Sequence, residues 1–118
     1  FAWGVNDCCL FAGDLVHAMT GLDFGARYRG RYSTPIGAAR VLRRLEGVKT
    51  LSEFCDVLAS RDRWVEIAPQ DACSGDPCLV LGTFGETLGV RFGGFVAAPA
   101  ERGVELMPWA LTLRAWAL

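Results

Sequence analysis

The sequence predicts an α+β domain. Three observations predict it: helical apolar spacing with good caps in the first half, short alternating segments between glycine turns in the second, and an apolar fraction large enough for a packed core. The chain has 118 residues, 52% of them hydrophobic, and a formal net charge of −1. That length fits one domain over residues 1–118, and the apolar fraction excludes a disordered linker. No apolar run reaches the roughly 18 residues that a membrane helix needs. A charged amino-terminal region with a signal-like apolar segment is also missing. The chain opens at Phe1 without a methionine, so a few leading residues are expected to precede it. The near-neutral charge argues against a nucleic-acid backbone as the main partner.

Asp7 is a good N-cap for a first helix over Cys8–Thr20, and Gly21 is a natural stop. Cys8, Phe11, Ala12, Leu15, Ala18 and Met19 fall on one face, with Asp14 and His17 on the other. Leu22–Ser33 has no clear period and reads as a loop. A second helix begins with Thr34 as cap and Pro35 as its first residue, runs to about Leu45 and ends at Gly47. Thr50 and Glu53 have capping-box spacing for a third helix, whose apolar face is Leu51, Phe54, Val57 and Leu58.

From Trp64 the pattern changes to alternation, with Trp64–Ala68 as a first strand. Pro69–Pro77 is a turn-rich connection, and Cys78–Leu81 a short buried strand. Gly82–Gly85 closes a hairpin onto Leu88–Phe92, and Gly93-Gly94 leads to Phe95–Ala98. Val104–Met107 follows Arg102-Gly103. Leu111–Trp116 reads as a last strand or an edge. Helices followed by a run of antiparallel strands give the α+β class. No repeat, linker or low-complexity tract interrupts it.

Two compositional details bear on chemistry. Five cysteines cannot all pair within the chain, so reduced thiols in a protein made in the cytoplasm are expected. There is a single histidine, His17. Cys8 falls in the first turn of the first helix, where free backbone N–H groups and the macrodipole stabilise a thiolate. The placement suits a nucleophile, with the same N–H groups available to an oxyanion. It equally suits a small core residue, because free cysteine is among the most buried residue types.

The segment Trp3-Gly4-Val5-Asn6-Asp7-Cys8, opening a helix, resembles the nucleophile segment of NlpC-type cell-wall cysteine peptidases, whose fold is papain-like. Gly75-Asp76-Pro77-Cys78-Leu79-Val80 is similar to that family's Gly-Asp strand opening. Leu88-Gly89-Val90-Arg91-Phe92-Gly93 is similar to its His-Val-Gly-Ile-x-x-Gly strand. Phe95–Pro99 and Gly103–Leu106 resemble the strands that follow. The order of the motifs is preserved along the chain. A nearer resemblance is to small phage and prophage proteins encoded among tail genes. They share the Trp-Gly-x-x-Asp-Cys start, the Arg29–Tyr32 loop, the Gly37-Ala38 helix and the Arg114-Ala115-Trp116 ending. The resemblance implies a papain-like, NlpC-like α+β fold with its helices packed on a C-terminal antiparallel sheet. It also implies a component of a phage tail tip, baseplate or tail-assembly step, in the virion and made in the bacterial cytoplasm.

The departures from the family pattern are chemical. By the motif match, Thr87 stands where the family has its catalytic histidine, and the third polar member would fall near Ala97. Neither acts as a general base near pH 7. His17 lies nine residues after Cys8 on the same helix, about 13 Å along the axis and on roughly the opposite side. From Cys9 the angular offset is about 80° but the axial separation is still about 12 Å. The candidates nearest in sequence are Asp7, which caps the helix, and Glu86. A carboxylate beside a thiol raises the thiol pKa. The expectation is a degenerate site around Cys8 in a docking module. The alternative is an active cell-wall cysteine peptidase or amidase with Cys8 as nucleophile, acting on peptidoglycan.

The remaining features are weaker signals. One histidine and the poor spacing of Cys73 and Cys78 give no zinc pattern, and no cofactor motif is present. Between Asp23 and Glu46 lie six arginines and no acid. Of these, Arg40, Arg43 and Arg44 have one-face helical spacing. Arg29, Arg31 and Tyr32 are the expected contact residues for other tail proteins, because loops carry function more often than helix faces. The arginines also allow a weaker reading as a DNA contact. Trp109 and Trp116 are read as core lids or as interface anchors.

Overall fold

A computed structural model describes residues 1–83 and 85–118. Three helices precede a six-stranded sheet: α1 (Cys8–Thr20), α2 (Pro35–Glu46) and α3 (Leu51–Asp62), then β1 (Val65–Ile67), β2 (Pro77–Gly82), β3 (Gly85–Phe92), β4 (Phe95–Pro99), β5 (Val104–Pro108) and β6 (Thr112–Ala117). Every pairing is antiparallel, and the spatial order is β1-β6-β2-β3-β4-β5. The α+β class therefore holds. No helix among the described residues is long and apolar enough to cross a membrane.

The caps behave as their chemistry requires. The Asp7, Thr34 and Thr50 side chains accept from the backbone N–H groups of Leu10, Gly37 and Glu53. Glu53 N–H donates to the Thr50 hydroxyl at 3.1 Å, and that hydroxyl donates to the Glu53 carboxylate at 3.3 Å, so the two side chains meet as the capping-box spacing expects but without the bond from Thr50 N–H. Gly21 and Gly47 close α1 and α2 in the left-handed conformation. Gly82 pairs with Gly85 where the β2–β3 hairpin was expected. Phe84, inside that turn, lies outside the described residues.

The sheet carries a core on each face. On one side Leu79, Leu88, Val90 and Trp116 pack against Ala12, Val16, Phe54 and Leu58 of the helices. On the other, Cys78, Val80, Val96, Ala98, Met107 and Ala115 form a second cluster, with Ile67 and Ala72 against it. Expectation and structure differ on α1. Its buried residues are Leu10, Ala12, Gly13 and Val16, whereas Ala18 and Met19 are exposed. The helix lies between the sheet and the Phe24–Arg27 turn, so its buried surface follows two neighbours and not one. Gly13 faces the Phe24 ring, where a Cβ would make ordinary van der Waals contact at 3.4 Å.

The last strand is not an edge. β6 lies between β1 and β2, which places Trp116 in the middle of the helix-side core at 1% exposure. Its ring is 6.4 Å from that of Trp64, and the Arg114 guanidinium stacks 4.9 Å above it. Arg114 also binds Asp56, Glu66 and Ser52, tying β6 to α3 and β1. Trp116 is thus a core residue, and the reading of it as an interface anchor is corrected. A side chain packed between the sheet and the helices at 1% exposure offers no surface to a partner.

The segment Leu22–Ser33 has no sequence period, yet its side chains fasten the helices together. The Tyr28 hydroxyl donates to Glu46 at 2.6 Å, and its ring meets Phe54 edge-on at 5.1 Å. Arg61 and Arg27 complete the Glu46 cluster at 2.8 and 2.9 Å. Burial alone would push the Glu46 carboxyl up. The Tyr28 hydroxyl and the arginines outweigh burial, so it titrates below the usual carboxylate range. A folded-state pKa below the unfolded one gives stability that is complete above the unfolded value, roughly 4.3, and is lost as pH falls through the lower folded value. Glu46→Gln is therefore expected to cost about 1–3 kcal/mol at pH 7. In urea unfolding, its deficit relative to the parent should shrink progressively below about pH 5. A deficit independent of pH would contradict the account.

Candidate functional site

The first turn of α1 opens onto a small cleft of about 150 Å³. Its walls include Trp3, Tyr32, Leu42, Leu51 and Phe54, with Cys8, Cys9 and Glu86 among the residues that line it. Loop, helices and β3 all contribute, so the cleft exists only in the folded chain.

Asp7 holds this end of the molecule together. It is 2% exposed. One carboxylate oxygen accepts from Leu10 N–H at 3.0 Å, capping α1. The other accepts from Gly4 N–H at 3.0 Å and from the Tyr32 hydroxyl at 2.6 Å. Burial, and then the hydrogen bond to Asp7, push the Tyr32 phenol well above its ordinary range. Tyr32 is therefore a neutral donor at any physiological pH. Gly4 is required for a separate reason. It has φ of +78°, and a Cβ there would lie 1.9 Å from the Tyr32 carbonyl oxygen. Gly30 N–H donates to the Gly4 carbonyl at 2.8 Å, completing the clasp.

Cys8 and Cys9 are adjacent in the first turn of α1 and both are partly buried. Cys8 titrates below the ordinary thiol range because the neighbouring Cys9 favours its thiolate, against burial. Cys9 is pushed well up by the neighbouring Cys8 sulfur and by burial. Cys55 is pushed up to about 12, and Cys78 to about 11, both by burial. These two are inert core thiols. All five cysteines are free.

The position matched to the family histidine does not face Cys8. Thr87 pairs with Val80 and Gly89 with Cys78, so both lie on the side of the second core. Leu88 pairs with Leu79 on the helix side, and Glu86, two residues earlier, shares that side. The β3 residue that lines the cleft is thus Glu86. Ala97 pairs with Val90 on the helix side and carries no polar group. His17 is exposed in the last turn of α1. Among the described residues no imidazole or ammonium lines the cleft. The three hydrogen bonds to Asp7 all serve to hold the fold.

The expected contact residues separate. Tyr32 turns inward to Asp7. Arg29 is engaged by Asp14 at 2.8 Å and Asp23 at 3.1 Å, within the chain. Arg31 is exposed, with no ion pair among the described residues. Trp109 is 39% exposed, with the Arg91 guanidinium 5.4 Å from its ring centre. Sequence reasoning missed the Tyr32–Asp7 bond, because the tyrosine lies 25 residues away and no local signal marks it. No group of three or more metal-ligating side chains occurs among the described residues.

One family description covers this whole architecture: the domain of unknown function DUF6950 matches residues 1–118. The chain belongs to the DUF6950 family. No curated protein matches it. In this DUF6950 chain the Trp-Gly-x-x-Asp-Cys segment has a structural reason at each marked position. Trp3 walls the cleft, Gly4 admits the Tyr32 backbone, Asp7 caps α1 and anchors Tyr32, and Cys8 opens the helix.

Proposed function

We propose that this chain is a structural or assembly component of a phage tail, in the tail-tip or baseplate region, using a degenerate NlpC-like fold as a protein-docking module. The observation that carries this reading is the Cys8 cleft. The nucleophile's position at a helix start is kept, while the groups around it are Cys9, Asp7, Tyr32 and Glu86, with no imidazole. A thiol peptidase needs a proton shuttle, which typically contributes on the order of 10²–10⁴-fold. A carboxylate in the cleft opposes thiolate formation. Fold retention without chemistry is physically easy, because Phe24, Tyr28 and Phe54 of the cleft serve the helix-side core whether or not Cys8 reacts. The partners on this reading are other tail proteins, and Arg31 and Trp109 are the contact residues that the fold leaves exposed.

A second reading, an active cell-wall cysteine peptidase or amidase, is favoured by one observation. Cys8 is the first residue of α1, at the positive end of the helix, and its thiol is lowered from the ordinary range beside Cys9. The primary reading predicts that the chain is found in purified tail particles. It also predicts that particles assembled with Cys8→Ala are as numerous and as infectious as the parent. Absence of the chain from purified particles would overturn the tail assignment. Loss of infectivity with Cys8→Ala, at unchanged particle assembly, would favour the second reading.

A further inference from the structure

The strand β5 ends the sheet and has no neighbour on its outer side. The register fixes which of its backbone groups are free. Phe95 pairs with Pro108, Ala97 with Leu106 and Pro99 with Val104. Trp109 N–H donates to the Gly94 carbonyl, and Ala100 N–H to the Gly103 carbonyl. Those bonds flank the pairs on either side, so Val104, Leu106 and Pro108 form non-hydrogen-bonded pairs with β4. Their backbone groups therefore point away from the sheet. The free edge presents the N–H groups of Val104 and Leu106 and the carbonyls of all three. Pro108 supplies no N–H. The Val104 and Leu106 side chains share the helix-side face with Phe95, and all three are about half exposed.

This edge complements itself. With a two-fold axis at Leu106, each Leu106 N–H meets the Leu106 carbonyl of a second copy. Each Val104 N–H then meets the Pro108 carbonyl of that copy, so every free donor of the strand is used. The missing N–H of Pro108 falls at the last rung. The side-chain pairs become Leu106 with Leu106 and Val104 with Pro108 on one face, and Glu105 with Met107 on the other. No like charges stand directly opposite one another, and the two Glu105 side chains are diagonal neighbours on the second face. Diagonally, Glu105 approaches Trp109 of the second copy, and that ring carries Arg91 at 5.4 Å. Neither Glu105 nor Arg91 has an ion-pair partner within the described residues of its own chain, and the Arg91 guanidinium donates to the backbone carbonyls of Gly93 and Pro69.

We propose that β5 pairs antiparallel with β5 of a second copy of this chain about Leu106, joining the two sheets into one of twelve strands. The edge is then covered by pairing, one of the ways in which proteins remove an aggregation-prone strand edge. This inference is independent of the tail assignment.

Sedimentation equilibrium of the intact chain over a micromolar range tests it. A monomer–dimer equilibrium is expected. Leu106→Lys places two like charges across the axis and should raise the dimer dissociation constant at least about tenfold. Its thermal unfolding in the dilute, monomeric range should match the parent's. Glu105→Arg and Arg91→Glu should each weaken the dimer, and the double variant should recover it. Circular dichroism identifies any variant that has lost the fold, and Leu106→Lys reads the interface without touching Arg91. A parent that stays monomeric at the highest concentration overturns the proposal. So does a dimer indifferent to Leu106→Lys, or a strand that pairs only with a different protein. Failure of the charge exchange to restore a dimer that Leu106→Lys disrupts overturns this register.

Discussion

Trp116→Ala is expected to destabilise the chain by about 3–5 kcal/mol, the range for removing a large buried aromatic. The ring is 1% exposed in a central strand, between Trp64 and the Arg114 guanidinium. Truncation leaves a void that the paired β1 and β2 backbones on either side cannot close. It also frees Arg114 from the surface that orients it toward Asp56 and Glu66. A domain of this size has about 5–15 kcal/mol in total, so the variant should be near its stability threshold. Trp116→Phe keeps most of the volume and should recover more than half of the loss. Equilibrium urea unfolding by tryptophan-independent circular dichroism measures both. A loss for Trp116→Ala below about 1 kcal/mol would place the residue at the surface.

Asp7→Ala is expected to cost about 3–5 kcal/mol through a different mechanism. It removes a helix cap, worth about 1 kcal/mol. It also leaves the Gly4 N–H and the Tyr32 hydroxyl without their acceptor, at about 1–3 kcal/mol each where they stay dry. Asp7→Asn separates the terms. Its amide oxygen can still accept from Leu10, but its NH₂ group cannot accept from Gly4 or Tyr32. Tyr32→Phe should cost about 1 kcal/mol alone and much less in the Asp7→Ala background, because the two groups are coupled at 2.6 Å. Additive losses in that double-mutant cycle would mean that the clasp is not formed.

These variants also mark what a reader of the sequence could see. The caps at Asp7, Thr34 and Thr50 and the glycine stops are local chemistry and lie where their residues put them, whereas β3 starts at Gly85, three residues before the expected Leu88. The α1 face was misplaced because helical spacing gives one stripe, while this helix is covered from two directions. The central place of β6 is a matter of topology, since the order β1-β6-β2 joins segments nearly fifty residues apart. No local pattern encodes that order. The motif match assigned Thr87 to the site by alignment, and the two-residue alternation of β3 then turned it to the other face, leaving Glu86 toward Cys8. The arginine-rich loop invited a surface reading. Its residues Tyr28, Arg29 and Tyr32 in fact bind Glu46, Asp14 and Asp7, partners 14 or more positions away.

On the proposed reading the Cys8 cleft cleaves no peptide. Incubation of the purified chain and its Cys8→Ala variant with peptidoglycan stem peptides, followed by mass spectrometry, tests it directly. The account predicts that neither protein releases cleavage products above the buffer control. Cleavage by the parent that Cys8→Ala abolishes would contradict it.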